Sequence, residues 1–299
     1  MAPKTIRVLS LFSGCGGMDL GLEGGFLIHK GCINEQTNPD FIEKQERGNL
    51  VKLRSSRFQL VFANDILKEA RTAWTHYFAK YGYSPDVYRE ESIVDLVKRH
   101  KAGEKIFPEG IDVVTGGFPC QDFSVAGKRN GFNSHKDHKG KIIEGEMASE
   151  ETRGKLYMWM KEVIEITKPK LFIAENVKGL VNLSNVKEII QRDFSRADGD
   201  GYIVLEPRVL HAADYGVPQS RERVIFIGIR KSALTPAARE ALTRDVIPDE
   251  YVPYPSPSHA YHIKNKGLIE PQTVGEMFAG LKEPEDSTDP SQRVYSKAK

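Results

Sequence analysis

The sequence predicts an α/β protein built on a doubly wound, mostly parallel sheet. Three observations carry that expectation. Short β-rich apolar runs alternate with stretches of helical period. The first run, "TIRVLSLF" (5–12), passes straight into a glycine turn, "SGCGG". The polar motifs then fall where apolar runs end, which is where ligands sit in sheets of this kind.

The elements follow in chain order. After the glycine turn, "MDLGLEGGF" reads as a short helix closed by glycines. Residues 34–58 are polar without clear period and read as an inserted excursion. "QLVFAND" (59–65) is a second strand, and Leu67, Ala70, Trp74 and Phe78 then recur at helical spacing, predicting a helix over 67–81. "IDVVTGGF" (111–118) is a strand ending in glycines. "GKLYMWMKEVIEITKP" (154–169) is an amphipathic helix stopped by Pro169. "KLFIAENV" (170–177) is a strand, "NVKEIIQRDF" (185–194) a helix, and "YIVLEPRVLHA" (202–212) and "RVIFIGIR" (223–230) are strands. The last 69 residues hold half of the chain's 16 prolines and little period. They set an expected boundary at 230, with "DEYVPYPSPSHAYH" as an extended linker beyond it.

Composition narrows the class. The chain has 299 residues, 39% hydrophobic and 28% charged, and a net charge of +2. These are ordinary values for a globular protein, with enough length for one or two domains. No apolar stretch is long enough to span a bilayer, and "MAPKTIRVLSLF" lacks the apolar segment of a signal peptide. The three cysteines, Cys15, Cys32 and Cys120, cannot all pair and match no zinc spacing, so a reducing, cytoplasmic setting without a metal is expected. Charge is uneven: residues 127–141 hold five Lys or Arg against one Asp. A solvated loop is the plain reading, and a loop closing on a polyanion the functional one.

Two groups of residues carry candidate chemistry. The first is "LFSGCGGMDLG", where glycines allow close approach to a ligand and the helix start offers free N–H groups. An acid at the end of the second strand, Asp65, stands where ribose hydroxyls are bound in dinucleotide folds. Together they point to an adenosine-bearing ligand, although a plain tight turn has comparable weight for the glycines alone. The second group centres on Cys120 in "GGFPCQDFS", placed after a strand end and a rigid proline and before a basic, glycine-rich loop. That setting favours thiolate, against the commoner fate of an inert small hydrophobe. Glu175 is a candidate proton donor at a mostly apolar strand end, with a cap or ion pair as the alternative. In "QSRER" (219–223) Arg223 opens an apolar strand, so one of its two arginines should point inward.

"FSGCGG", "GGFPCQDFS", "ENV" and "QSRER", in that order, closely resemble the cytosine-C5 DNA methyltransferases of bacterial restriction–modification systems. The likeness runs from about residue 5 to residue 230. It implies a Rossmann-like methyltransferase fold, with S-adenosylmethionine as methyl donor and S-adenosylhomocysteine as product. It implies that Cys120 is the nucleophile that adds to C6 of a flipped cytosine in duplex DNA. Glu175 would be the acid that bonds N3, and Arg221 would hold the base with support from Gln219 and Arg223. Cofactor contacts would come from Phe12, Ser13, Gly14, Gly16, Gly17, Asp65, Ile66, Ser92, Ile93, Pro119 and Leu156. Two positions depart from the family: Ser92 stands where many members have an aspartate, and Ile66 where many have an aromatic. The family's target-recognition region is expected beyond "QSRER", about where this chain stops, so a fragment or a split enzyme completed by a second polypeptide is expected. An RNA (tRNA) methyltransferase of the same chemistry and a non-catalytic cofactor-binding subunit are the alternatives.

Overall fold

The structure, a computed structural model, describes residues 4–46, 48–119, 156–182, 185–199, 201–262 and 267–279. Cys120 and the basic loop 127–141 therefore lie outside the described residues.

Strands are β1 Ile6–Leu11, β2 Leu27–His29, β3 Ile42–Gln45, β4 Leu50–Leu53, β5 Phe58–Asp65, β6 Tyr88–Glu90, β7 Val113–Gly116, β8 Leu171–Val177, β9 Tyr202–Val204, β10 Arg208–His211 and β11 Glu222–Arg230. Helices are α1 Gly17–Glu23, α2 Lys68–Phe78, α3 Ile93–Lys101, α4 Leu156–Thr167, α5 Val186–Ser195, α6 Pro236–Ala241 and α7 Val274–Phe278. Among the described residues, eight strands form one sheet in the order β10–β11–β8–β7–β1–β5–β6, with β9 added on β11. The neighbours β6, β5, β1, β7 and β8 are all parallel, and β11 runs antiparallel to β8. The expected doubly wound, mostly parallel sheet is present.

Side-chain alternation assigns the faces. In β11, Val224 and Phe226 enter a core shared with α3, α4 and α5. Ile225, Ile227 and Ile229 face the other way, onto Leu242 and Tyr254. In β1 and β5, Val8, Leu60 and Ala63 meet Trp74 and Phe78 of α2. The Trp74–Phe78 stripe is thus core, its rings stacked with centroids 4.5 Å apart. Beneath it lies a buried polar network. Asp19 of α1, wholly buried, accepts from Ser10 Oγ at 2.5 Å and from Trp74 Nε1 at 2.7 Å. Burial pushes its carboxyl above the usual range, against those two hydrogen bonds.

The chain forms two compact units. One comprises residues 1–26, 54–210 and 222–255; the other comprises 27–53, 211–221 and 256–299. This division differs from the expected boundary at 230. Residues 231–255 are not a free linker: Leu234 and Leu242, on either side of α6, pack into the first unit's core, and Tyr254 OH donates to Glu206 O at 3.1 Å and Ile225 O at 3.0 Å. The expected excursion at 34–58 is also structured, since β2, β4 and β3 make an antiparallel sheet in the second unit. That unit is joined by polar contacts across the sequence. Buried Asn34 donates from Nδ2 to Ser258 O and Gly267 O, both at 2.8 Å. Gly216, at φ +84°, lies where a Cβ would stand 2.1 Å from Cys32 O, so only glycine fits.

Candidate active site

The site is built at the carboxyl ends of the parallel strands in the first unit. After β1 the chain reverses through three left-handed residues, Phe12 (φ 52°), Gly14 (φ 52°) and Gly16 (φ 88°). Phe12 carries a side chain in this region, a strain of about 1–2 kcal/mol. The two glycines do different work. At Gly16 a Cβ would lie 2.6 Å from Phe78 and 2.7 Å from Trp74, so its bareness lets the turn seat on α2. At Gly14 and Gly17 a Cβ would meet nothing within 4 Å, so their backbone borders open space.

Asp65 fixes this turn. Its Oδ2 accepts from Gly14 N at 3.0 Å, and its Oδ1 accepts from Ile66 N at 2.7 Å and Leu67 N at 3.2 Å. An ionised carboxylate has about four acceptor positions, so three amides leave capacity for one more donor. Ser13 Oγ donates to Ser10 O at 3.1 Å and accepts from Asn64 N at 3.2 Å, which ties the turn to β5.

A pocket opens beside these groups. It is lined by Phe12, Asn64, Asp65, Ile66, Leu67, Ser92, Ile93, Gly117, Pro119 and Leu156. Seven of these are sequence-predicted cofactor residues: Phe12, Asp65, Ile66, Ser92, Ile93, Pro119 and Leu156. Ser13, Gly14, Gly16 and Gly17 form the adjacent turn and do not line it. Ser92 also has a structural duty, since its Oγ caps α3 by accepting from Val94 N at 3.3 Å. Leu67 and Gly117 are liners that the sequence did not mark as site residues, and Asn64 was marked only as part of the polar end of its strand. Asn64 stands in "AND" and donates from Nδ2 to Arg89 O at 3.1 Å and Glu91 O at 2.7 Å, which orients the backbone leading to Ser92.

Gly117 joins the pocket to the proposed acid. A Cβ there would stand 3.0 Å from Glu175 Oε2, so the missing side chain lets this carboxylate approach the pocket wall. Glu175 forms an ion pair with Arg223, Nε to Oε1 at 2.6 Å, both side chains about one-quarter exposed. The strand end is therefore not the mostly apolar setting expected, since Arg223 of "QSRER" meets Glu175 there. Gln219 and Arg221 belong to the second unit. Next in sequence, buried Asn176 donates from Nδ2 to Phe118 O at 3.1 Å, holding the segment that leads into Pro119 and Cys120. "ENV" was legible as a motif, but nothing in it identified this second duty.

The fold is Rossmann-like, a mostly parallel sheet with a glycine turn and a pocket at its strand ends. The family model for C-5 cytosine-specific DNA methylases matches residues 6–297, and the chain belongs to that family. It is 36% identical over 229 residues to the type II methyltransferase M.BsuRI of Bacillus subtilis, covering 76% of this chain and 44% of the relative. It is 33% identical over 224 residues to M.NgoFVII of Neisseria gonorrhoeae, covering 75% of this chain and 44% of the relative. The chain thus spans less than half the length of these relatives. A crystal structure described as a DNA modification methyltransferase from an E. coli prophage shares the fold. Its TM-score is 0.52 at 24% identity, covering 93% of this chain and 56% of that one. No helix among the described residues is long and apolar enough to cross a membrane.

Proposed function

We propose that this chain transfers a methyl group from S-adenosylmethionine to C5 of cytosine in duplex DNA. The observation that carries the reading is the convergence of seven family-matched cofactor residues on one pocket whose wall, at Gly117, abuts Glu175.

The residues present fit the cofactor. Asp65 retains acceptor capacity for a ribose hydroxyl, and Phe12, Ile93 and Leu156 offer apolar walls for an adenine ring. The open backbone at Gly14 and Gly17 leaves room for the chain beyond the ribose. When bound, S-adenosylmethionine supplies an electrophilic methyl on sulfur.

The chemistry explains the other residues. C5 of cytosine is a weak nucleophile. Addition of the Cys120 thiolate to C6 would push the ring electron pair towards C5 and so make that carbon nucleophilic enough to take up the methyl group. Loss of the C5 proton would re-form the double bond and expel the thiolate. Glu175 would hold N3 of the base through this change, with Arg223 keeping its carboxylate in place. Asn176 would fix the approach of the chain to Cys120 by gripping Phe118 O. A base inside a duplex is out of reach, so the cytosine must leave the stack, at a cost of about a few kcal/mol. Gln219 and Arg221 are assigned to holding the flipped base on the resemblance of their motif.

Mass spectrometry of DNA from cells expressing the protein tests the reading. Cells with the intact chain, co-expressed with a second polypeptide that supplies the recognition region, should accumulate 5-methylcytosine in duplex DNA. Cells with Glu175→Gln at equal soluble level should show a loss of about 10²–10⁴-fold in rate. Methylation appearing in tRNA and not in DNA would replace the proposed substrate. Equal methylation by the variant would remove Glu175 from the mechanism.

A further inference from the structure

The second compact unit holds a side-chain cluster that the proposed reaction does not use. His211 ends β10, Asp214 lies in the short turn Ala212–Tyr215, and His262 lies beyond the buried Ser258–His259 pair. The atoms through which these three side chains could bind a metal lie within 4.8 Å of one another.

The geometry is close to a coordination shell. Asp214 Oδ2 and His262 Nδ1 are 3.2 Å apart. Two ligands bound tetrahedrally to zinc at about 2.0–2.1 Å stand about 3.3 Å from each other. Asp214 is held for this role, because its Oδ1 accepts the His262 backbone N–H at 2.8 Å. His211 is clamped between rings, stacked on Tyr261 at 4.6 Å and edge-on to His262 at 4.4 Å.

An independent observation points to a ligand. His211 is 7% exposed, and its Nδ1 is buried without a hydrogen-bond partner among the described residues. Its Nε2 lies 3.3 Å from Ser220 Oγ. Donation of the Nε2 proton to that hydroxyl leaves Nδ1 as a bare lone pair, the arrangement in which an outer partner orients a metal-bound imidazole. A simple Asp214–His262 ion pair would leave that nitrogen buried and unused. A metal ion gives it a partner, and the half-exposed His262 ring gives the ion a path from solvent.

We propose that His211, Asp214 and His262 bind one divalent transition-metal ion, with water in the remaining position. Two imidazoles and one carboxylate suit zinc and its neighbours rather than magnesium or calcium. The ion would clasp the 256–262 segment to the turn at 211–214. That turn also anchors the loop carrying Gln219 and Arg221, since Ala212 N donates to Arg221 O at 2.8 Å. The site does not depend on the methyl-transfer reading.

The full 299-residue protein, stripped with chelator, should take up one equivalent of Zn²⁺ by calorimetry and give a visible Co²⁺ absorption band. His262→Ala should weaken binding at least tenfold and abolish the rise in melting temperature that Zn²⁺ gives. Ser220→Ala should weaken it by about 10–100-fold, the usual effect of removing an outer partner. His211→Ala should lose binding; if that buried variant does not fold, His262→Ala decides, because its ring is half exposed. No stoichiometric uptake, or uptake unchanged in His262→Ala, would overturn the proposal.

Discussion

Each of the two compact units is held together internally by its own kind of contact. The first is an alternating sheet with apolar side chains sent to either face and one polar network, Asp19 with Ser10 and Trp74, buried below the glycine turn. The second gathers three chain segments by side-chain bonds to backbone, as Asn34 does to Ser258 and Gly267, and His259 Nε2 does with Gly31 O at 3.2 Å. Apolar burial is non-directional and collective, whereas a buried amide has a few fixed partners. Damage to the first unit should therefore spread, and damage to the second should stay local.

The largest expected effect comes from Trp74→Ala. It removes a ring packed against Phe78, Tyr83 and Tyr88 and leaves Asp19 without one of its donors. A loss of about 3–5 kcal/mol is expected from the cavity, with about 1–3 kcal/mol more from the deprived carboxylate. Urea denaturation measures it, and a loss below 1 kcal/mol would mean that the aromatic cluster does not hold α2. Asn34→Ala should cost about 3 kcal/mol, because it loses the two hydrogen bonds Asn34 donates and the one its Oδ1 accepts from Gln36 N at 3.0 Å. Hydrogen exchange should quicken across 27–53 and 256–262 while β1 and β7 stay protected; uniform quickening would erase the contrast between the units.

Acid sharpens the comparison further, because the first unit carries carboxylates shifted both ways. At Asp112 burial pushes the carboxyl up, but Lys170 and the Arg7 amide outweigh it and hold it below the usual range. At Asp198 burial is likewise outweighed by Lys168 and Arg230. Depressed carboxyls stabilise the fold in full above the unfolded value of about 3.9, and that stability is lost as pH falls through their folded values. Asp19 is raised, so its contribution is greatest at low pH and shrinks as pH rises above about 4. Asp112→Asn should therefore lessen the stability lost below about pH 4, and Asp19→Asn should flatten the slope just above it. Melting temperatures measured across that range check both signs. The smallest effect expected is Ile66→Trp, which restores the aromatic wall common in the family and should tighten cofactor binding about 2–10-fold, the worth of an aromatic contact.

Sequence reading succeeded where contacts are local. The strand expected at 59–65 is Phe58–Asp65, and the helix expected over 67–81 is α2 followed by a tight turn at Ala79–Tyr81. The alternation of "RVIFIGIR" marked β11 because each face has its own core. Helix α3 was missed: its first residues drew notice as cofactor contacts, which hid Ser92 as a helix cap. The strand expected at 202–212 is two strands parted near Pro207, a residue without the N–H that a continuous ladder needs. The second unit left no trace in local pattern, because Asn34 and its partner Ser258 are 224 positions apart. At the site, Gly117 was overlooked and Asn176 was read only as part of a polar strand end, since each acts through a neighbour: one by lacking a Cβ, the other by holding a carbonyl.

The central claim is that the pocket beside Asp65 binds S-adenosylmethionine, and calorimetric titration of the purified chain tests it most directly. One equivalent should bind, and Asp65→Ala, shown to be folded by circular dichroism, should weaken binding at least tenfold while Gln219→Ala leaves it unchanged. Absence of binding by the intact chain, or an unchanged affinity in folded Asp65→Ala, would contradict the assignment of this pocket.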